Sequence, residues 1–134
     1  MTIYALSSGS GISGIAVIRI SGPETREIIT KMTSGSFPKA KQATLKKITK
    51  IDNKEVIDQG IVIWFPGPQS YTGEDMAEFH VHGSRAVIEA VYEEVSKIEN
   101  CRPADAGEFT KLAFQNGKIN LLKAESISDL ISAE

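Results

Sequence analysis

The chain has 134 residues, 41% of them hydrophobic and 24% charged, with a formal net charge of −2; this allows one domain with its own core and excludes two ordinary ones. The near-neutral charge excludes a global electrostatic pull toward nucleic acid or membrane, and the single cysteine, Cys101, excludes an internal disulfide and suits a reducing cytosol. No apolar run approaches the roughly 18 residues of a membrane helix, and the opening MTIYALSSGSG lacks the basic and apolar regions of a secretory signal, so a soluble, cytoplasmic domain is expected.

Residues 2–6 (TIYAL) and 14–20 (GIAVIRI) are short, rich in β-branched side chains and separated by a Ser/Gly loop, which predicts two strands. GPETREIITKM follows, with Pro23 suited to a first helical position and Ile28, Ile29 and Met32 on one helical face. The lysine-rich stretch 39–54 alternates weakly around Leu45 and Ile48 and turns at Asp52-Asn53, as an exposed hairpin does. GIVIWF at 60–65 is nearly uninterrupted apolar sequence, which predicts a strand covered on both faces. The following PGPQSYTGED is loop, broken by prolines and glycines.

From Ala77 the sequence alternates again, with Ala77, Phe79 and Val81 pointing one way and Glu78, His80 and His82 the other. Ser84 can cap a helix carrying Val87, Val91, Val95 and Ile98 at helical spacing. PADAGEFTKLAFQNG predicts a further helix, with Phe109, Leu112 and Ala113 inward and Gly117 as its stop. Asn120 is placed to cap a last helix, LLKAESISDLISAE, which has no stop signal before Glu134, so a longer parent chain is expected. Strands and helices do not alternate strictly, and the fold class expected is α+β, a mixed sheet with helices packed on it.

The stretch GSGISG at 9–14 matches the dinucleotide fingerprint G-x-G-x-x-G letter for letter. That chemistry needs the last glycine to open a helix whose N-terminus holds a pyrophosphate. Here the glycines lead into IAVIRI, a poor helix former, so a Rossmann site is rejected and a loop between strands is expected. G-x-x-x-x-G-K-[ST] does not occur, so the segment has no P-loop for nucleotide.

Arg19 shares a strand face with Ile15 and Val17, where a guanidinium without a partner is costly to desolvate. It either reaches solvent or a structural carboxylate, or it is a fork-shaped donor for an anionic or carbonyl-bearing ligand. The segment SYTGEDMAEFHVHGS at 70–84 gathers three acids and both histidines of the chain. Glu78, His80 and His82 on one face offer three metal ligands, but no fourth of the Cys/His type lies nearby in sequence. Glu74, Asp75 and Glu78 offer paired acids for hydrolysis, although the first two stand beside a glycine where turn formation and capping are the usual task. A strand carboxylate can also accept two parallel N–H bonds from an amidine-like edge such as that of a pterin. Spacing alone does not choose among the three. Lys118, after Gly117, reads by itself as solvated surface, and Lys46, Lys47 and Lys50 as an exposed charged edge that resists aggregation.

Three blocks, GIAVIRISGP at 14–23, DQGIVIWFPGPQSYTGEDMAEFHVHG at 58–83 and PADAGEFTKLAFQNGKINLLKAESISDLISAE at 103–134, together resemble the N-terminal part of the MnmE/TrmE tRNA-modification GTPases. The likeness is weakest between about 30 and 55. It implies a tetrahydrofolate-binding and homodimerising domain over 1–117, similar to the folate domain of the glycine-cleavage T protein, and over 118–134 the first helix of a truncated helical domain. The GTPase domain of the family, with its GTP, magnesium and potassium, is not part of this sequence. The resemblance implies a whole enzyme that works with the FAD-dependent MnmG/GidA protein on tRNA, installing an aminomethyl-type group at C5 of the wobble uridine, U34. It further implies that a folate, 5-formyl- or 5,10-methylene-tetrahydrofolate, supplies the one-carbon unit.

The arginine of IxRISG, the glutamate of GEDxxE and the lysine of NGK are the family's folate contacts, and they fall on Arg19, Glu78 and Lys118. His80 and His82 gain no role from the resemblance. One departure is plain. Where the family has PPGRGG, this chain has SGSGISG, without the arginine such a loop brings to a ligand or dimer contact. With no evident nucleophile or strong acid/base pair, no turnover is expected from this segment alone. Two other readings are an assembly-only dimerisation module with a vestigial folate pocket, and a stand-alone aminomethyl- or formyl-transferase.

Overall fold

The computed structural model describes residues 1–7 and 14–119. Thr2–Leu6 (β1) and Ile15–Ser21 (β2) pair antiparallel, with Ala5 opposite Arg19. Because β2 is a strand beginning at Ile15, the glycine-rich stretch before it opens no helix, and the Rossmann reading fails on structure as it did on sequence. Residues 9–13 of that stretch, and the helix expected from Asn120, lie outside the described residues.

Thr25–Met32 (α1) buries Ile28, Ile29 and Met32 as their spacing predicts. It starts two residues later than Pro23 suggests. The turn at Gly22 intervenes, where the Thr25 hydroxyl donates to the Gly22 carbonyl at 2.8 Å. Thr44–Thr49 (β3) and Val56–Phe65 (β4) form the expected hairpin. Its turn is fastened from outside by buried Glu94, which accepts from the Ile51 N–H at 2.8 Å and from Lys97 Nζ at 2.7 Å. Met76–His82 (β5) follows the loop, and Arg85–Ser96 (α2) is capped by Ser84, whose Oγ accepts from the Val87 N–H. Glu108–Gln115 (α3) ends before Gly117, whose φ of 71° is the left-handed stop that glycine adopts without a steric penalty.

These strands make one six-stranded sheet in the order β3-β4-β5-β2-β1-β6. Its last member, Cys101–Pro103 (β6), runs parallel to β1 and makes the sheet mixed. Sequence reasoning missed β6: three residues ending in proline carry no periodicity, and the strand exists because the open edge of β1 accepts it. The α+β class holds, with three helices among the described residues.

The two faces of the sheet differ. Ala16, Ile18, Ile20, Ala77, Phe79 and Val81 are buried in the main core with Ile28, Ile29 and Met32 of α1 and Val91 and Val95 of α2. Alternate residues point to the other face, which is only partly covered. Two expectations need correction here. First, Val62 and Trp64 of β4 are buried while Ile61, Ile63 and Phe65 are only half-buried, so this strand is not covered on both faces; an apolar run marks burial only where something packs on each side. Second, Lys46 is buried, not part of an exposed edge, because its register opposite Gly60 turns it to the core side, where its ammonium donates to the carbonyls of Ser34 and Ser36.

Candidate functional site

The second face is roofed at one end by the loop between β4 and β5 and by α3. The loop is held at many points: Ser21 Oγ and Thr72 Oγ1 share a hydrogen bond of 2.8 Å, the Gly67 N–H donates to Asp75 Oδ1 at 2.8 Å, and Asn116 Nδ2 donates to the Thr72 carbonyl at 2.7 Å. Tyr71 reaches α3 through a 3.1 Å hydrogen bond with Thr110. Glu74 accepts from Ser21 Oγ at 3.2 Å. Glu74 and Asp75 therefore fasten a turn, as their glycine neighbour suggested, and a hydrolytic pair with Glu78 has no support in this geometry.

At the edge of that roof Arg19 and Glu78 stand directly opposite one another in the β2–β5 ladder, with Arg19 Nη2 3.5 Å from Glu78 Oε2. The register brings them together, because residues facing each other on adjacent antiparallel strands share a face. Glu78 Oε1 is 2.9 Å from His80 Nε2. The guanidinium carbon of Arg19 also lies 5.7 Å from the ring centre of Tyr71 and 5.8 Å from that of Phe109, within cation–π range. The Glu78 and Arg19 side chains are 21% and 31% exposed. A partly exposed pair of this kind adds at most about 1 kcal/mol, so fold stability is a weak reason for its presence. Each carboxylate oxygen has two lone pairs, so Arg19 and His80 leave acceptor capacity on both oxygens of Glu78 for two parallel N–H donors.

The two histidines serve different carboxylates. His82 is turned away from Glu78, with its Nδ1 2.8 Å from Asp58 Oδ1 and its backbone N–H donating to Asp58 Oδ2 at 2.8 Å. Burial works against the Asp58 charge, yet the backbone and side-chain hydrogen bonds from His82 outweigh it and hold the carboxyl below its ordinary range. Among the described residues no three of His, Cys, Asp and Glu group as metal ligands. The one thiol, Cys101, is pushed up to about 11 by burial, assisted by Glu24 and Glu27, so it stays protonated at neutral pH and is a poor nucleophile.

Lys118 does not touch Glu78 in the same direct way. It lies across the loop, its Cε placed 3.2 Å from where a Cβ on Gly73 would stand. That approach, with a φ of 86° at Gly73, is why glycine occupies the position. Lys118 lines a cleft of about 510 Å3 together with Lys41, Phe65, Ser70 and Tyr71. Tyr71 therefore borders both places: its ring lies near Arg19 and it walls the cleft of Lys118. The structure thus joins Arg19 and Glu78 at one spot and sets Lys118 along the same loop. Sequence reasoning missed Tyr71, Phe109 and the link from His80 to Glu78. Only the last had a visible signal, since residues i and i+2 share a strand face.

Residues 2–118 match the family described as "GTP-binding protein TrmE N-terminus". The chain is 68% identical over 134 residues to the tRNA modification GTPase MnmE of Pelagibacter ubique (strain HTCC1062), covering 100% of itself and 30% of that protein. It is 50% identical over 133 residues to the mitochondrial 5-taurinomethyluridine-[tRNA] synthase subunit GTPB3 of Danio rerio, covering 99% of itself and 26% of that protein. Over 133 residues it is 49% identical to the tRNA modification GTPase MnmE of Sinorhizobium medicae (strain WSM419), covering 99% of itself and 30% of that protein. The chain thus spans less than a third of the length of each.

Proposed function

The chain belongs to the TrmE N-terminal family, and on that premise we propose that it is the reduced-folate-binding and dimerisation domain of a tRNA-modifying GTPase. The names of its relatives, tRNA modification GTPase and 5-taurinomethyluridine-[tRNA] synthase subunit, support the setting. In this reading the whole cytoplasmic enzyme acts with an FAD-dependent partner of the MnmG/GidA kind on C5 of the wobble uridine, and 5-formyl- or 5,10-methylene-tetrahydrofolate carries the one-carbon unit.

One observation carries the proposal: Glu78 holds its carboxylate on a half-open strand face between Arg19 and His80. A pterin presents an N–H of its ring and its exocyclic amine side by side, and a carboxylate accepts both in parallel. Arg19 then stands beside the bound ring, and Lys118 lies farther along, toward the anionic end of the cofactor. These residues bind and orient; the one-carbon chemistry belongs to the folate. Calorimetric titration of the full chain with 5-formyltetrahydrofolate tests this. Glu78→Gln should weaken binding at least tenfold, since a charge-assisted hydrogen bond contributes about 1.5–3 kcal/mol; equal affinity would remove Glu78 from the pocket.

A further inference from the structure

The cleft beyond Tyr71 holds, beside Lys118, a cation that is not among the three expected folate contacts. Lys41 and Lys118 both line it, and its lining includes no acid. Three lysines elsewhere are neutralised by acids: Lys31 pairs with Glu27, Lys50 with Glu55, and Lys97 with Glu94 and Asp52. Lys41 and Lys118 form no ion pair among the described residues, although they sit on the same rim.

The backbone at Lys41 is also held in place. Its N–H donates to the Trp64 carbonyl at 2.7 Å, next to the bridge between Ala40 and Trp64, and its φ is 62°. A lysine costs about 1 kcal/mol or more in that left-handed region, so backbone geometry alone would favour glycine or asparagine there. The same cleft is lined by two aromatic rings, Phe65 and Tyr71. Phe65 lies on the same strand face as Ile63, the residue opposite Glu78, so the cleft continues the surface that carries the carboxylate.

We propose that this cleft seats the p-aminobenzoyl-glutamate portion of the folate, with Lys41 as a second, unassigned cation for its tail carboxylates and for the further carboxylates of polyglutamylated forms. The proposal rests on the folate reading and specifies its ligand. The aromatic ring of the p-aminobenzoyl group matches the Phe65–Tyr71 wall, and a single glutamate carries two negative charges to set against two lysines. Each added glutamate brings one more charge to the same rim.

The test compares tetrahydropteroate, which lacks glutamate, with tetrahydrofolate monoglutamate and triglutamate, titrated into the full chain as wild type, Lys41→Gln and Lys39→Gln. Lys39→Gln removes the same charge two residues away, from a lysine that does not line the cleft. Lys41→Gln is expected to weaken the glutamylated ligands about two- to fivefold, the range of an exposed charge pair, with the larger loss for triglutamate. It should leave tetrahydropteroate unchanged, and the difference should shrink as salt is raised. Equal effects on all three ligands, or equal effects of the two lysine variants, overturn the role of Lys41 while leaving the Glu78 site standing. A wild type that binds none of the three overturns both.

Discussion

In the folate reading, Glu78 acts through its neighbours as much as through its own charge. His80 Nε2 at 2.9 Å orients one carboxylate oxygen, while Arg19 at 3.5 Å stands by the other. If His80 is a positioning residue, what matters is its N–H donor and not its ring. His80→Gln, which keeps a donor on the same strand face, should bind reduced folate within about twofold of wild type. His80→Leu removes the donor, and should weaken binding about five- to tenfold at an unchanged melting temperature, a discounted share of a charge-assisted hydrogen bond. Equal affinities for the two variants would leave His80 as mere pocket wall.

Single strands and helices explain how much of this was legible beforehand. The alternation in β5 placed Glu78 and His80 on one face and Phe79 on the other, and the burial pattern agrees. What periodicity could not supply was the partner strand. That Arg19 faces Glu78 follows from the β2–β5 register, a pairing across more than fifty positions that no local pattern encodes. Lys46 fails for the same reason, since its side is set by Gly60 across the hairpin.

The open face of the sheet makes an element-level prediction of its own. Leu45 stands opposite Ile61 and is 62% exposed, and Ile61 and Ile63 are half-buried beside it. Apolar surface grouped this way is the kind a subunit contact covers. In the dimer reading the occupant is a second copy of the chain. Sedimentation of the wild type should give a dimer, and Leu45→Glu should shift it toward monomer at micromolar concentration. A wild-type monomer would end that reading, as would a variant that dimerises equally well.

For the whole molecule, acid is the informative stress. Burial disfavours the Glu94 charge, but the Lys97 ammonium and the Ile51 N–H outweigh it and keep its carboxyl more acidic than usual. Glu94 fastens the β3–β4 turn to α2, and Asp58, similarly lowered, ties β4 to the end of β5. Since both carboxyls lose protons more readily in the folded chain, the unfolded chain binds more protons across the acid window. Stability from these links is therefore complete above the ordinary carboxylate range, about 3.9–4.3, and declines as pH falls through the lowered folded values. Chemical denaturation of the full chain followed from pH 7 to pH 3 should show this loss. Glu94→Gln should be about 1–3 kcal/mol less stable at pH 7, with a shallower acid limb; an unchanged limb would assign the acid sensitivity elsewhere.

The site also depends on that stability, because β2, β5, the roofing loop and α3 must all be in place for Arg19, Glu78 and Tyr71 to meet. A crystal of the full chain grown with saturating 5-formyltetrahydrofolate reads the outcome directly. The pterin's amine and adjacent ring N–H should lie about 3 Å from the two Glu78 oxygens, with the tail running past Tyr71 toward Lys118. A pterin seated away from β5, or a face of β5 left unoccupied at saturation, would contradict the folate assignment.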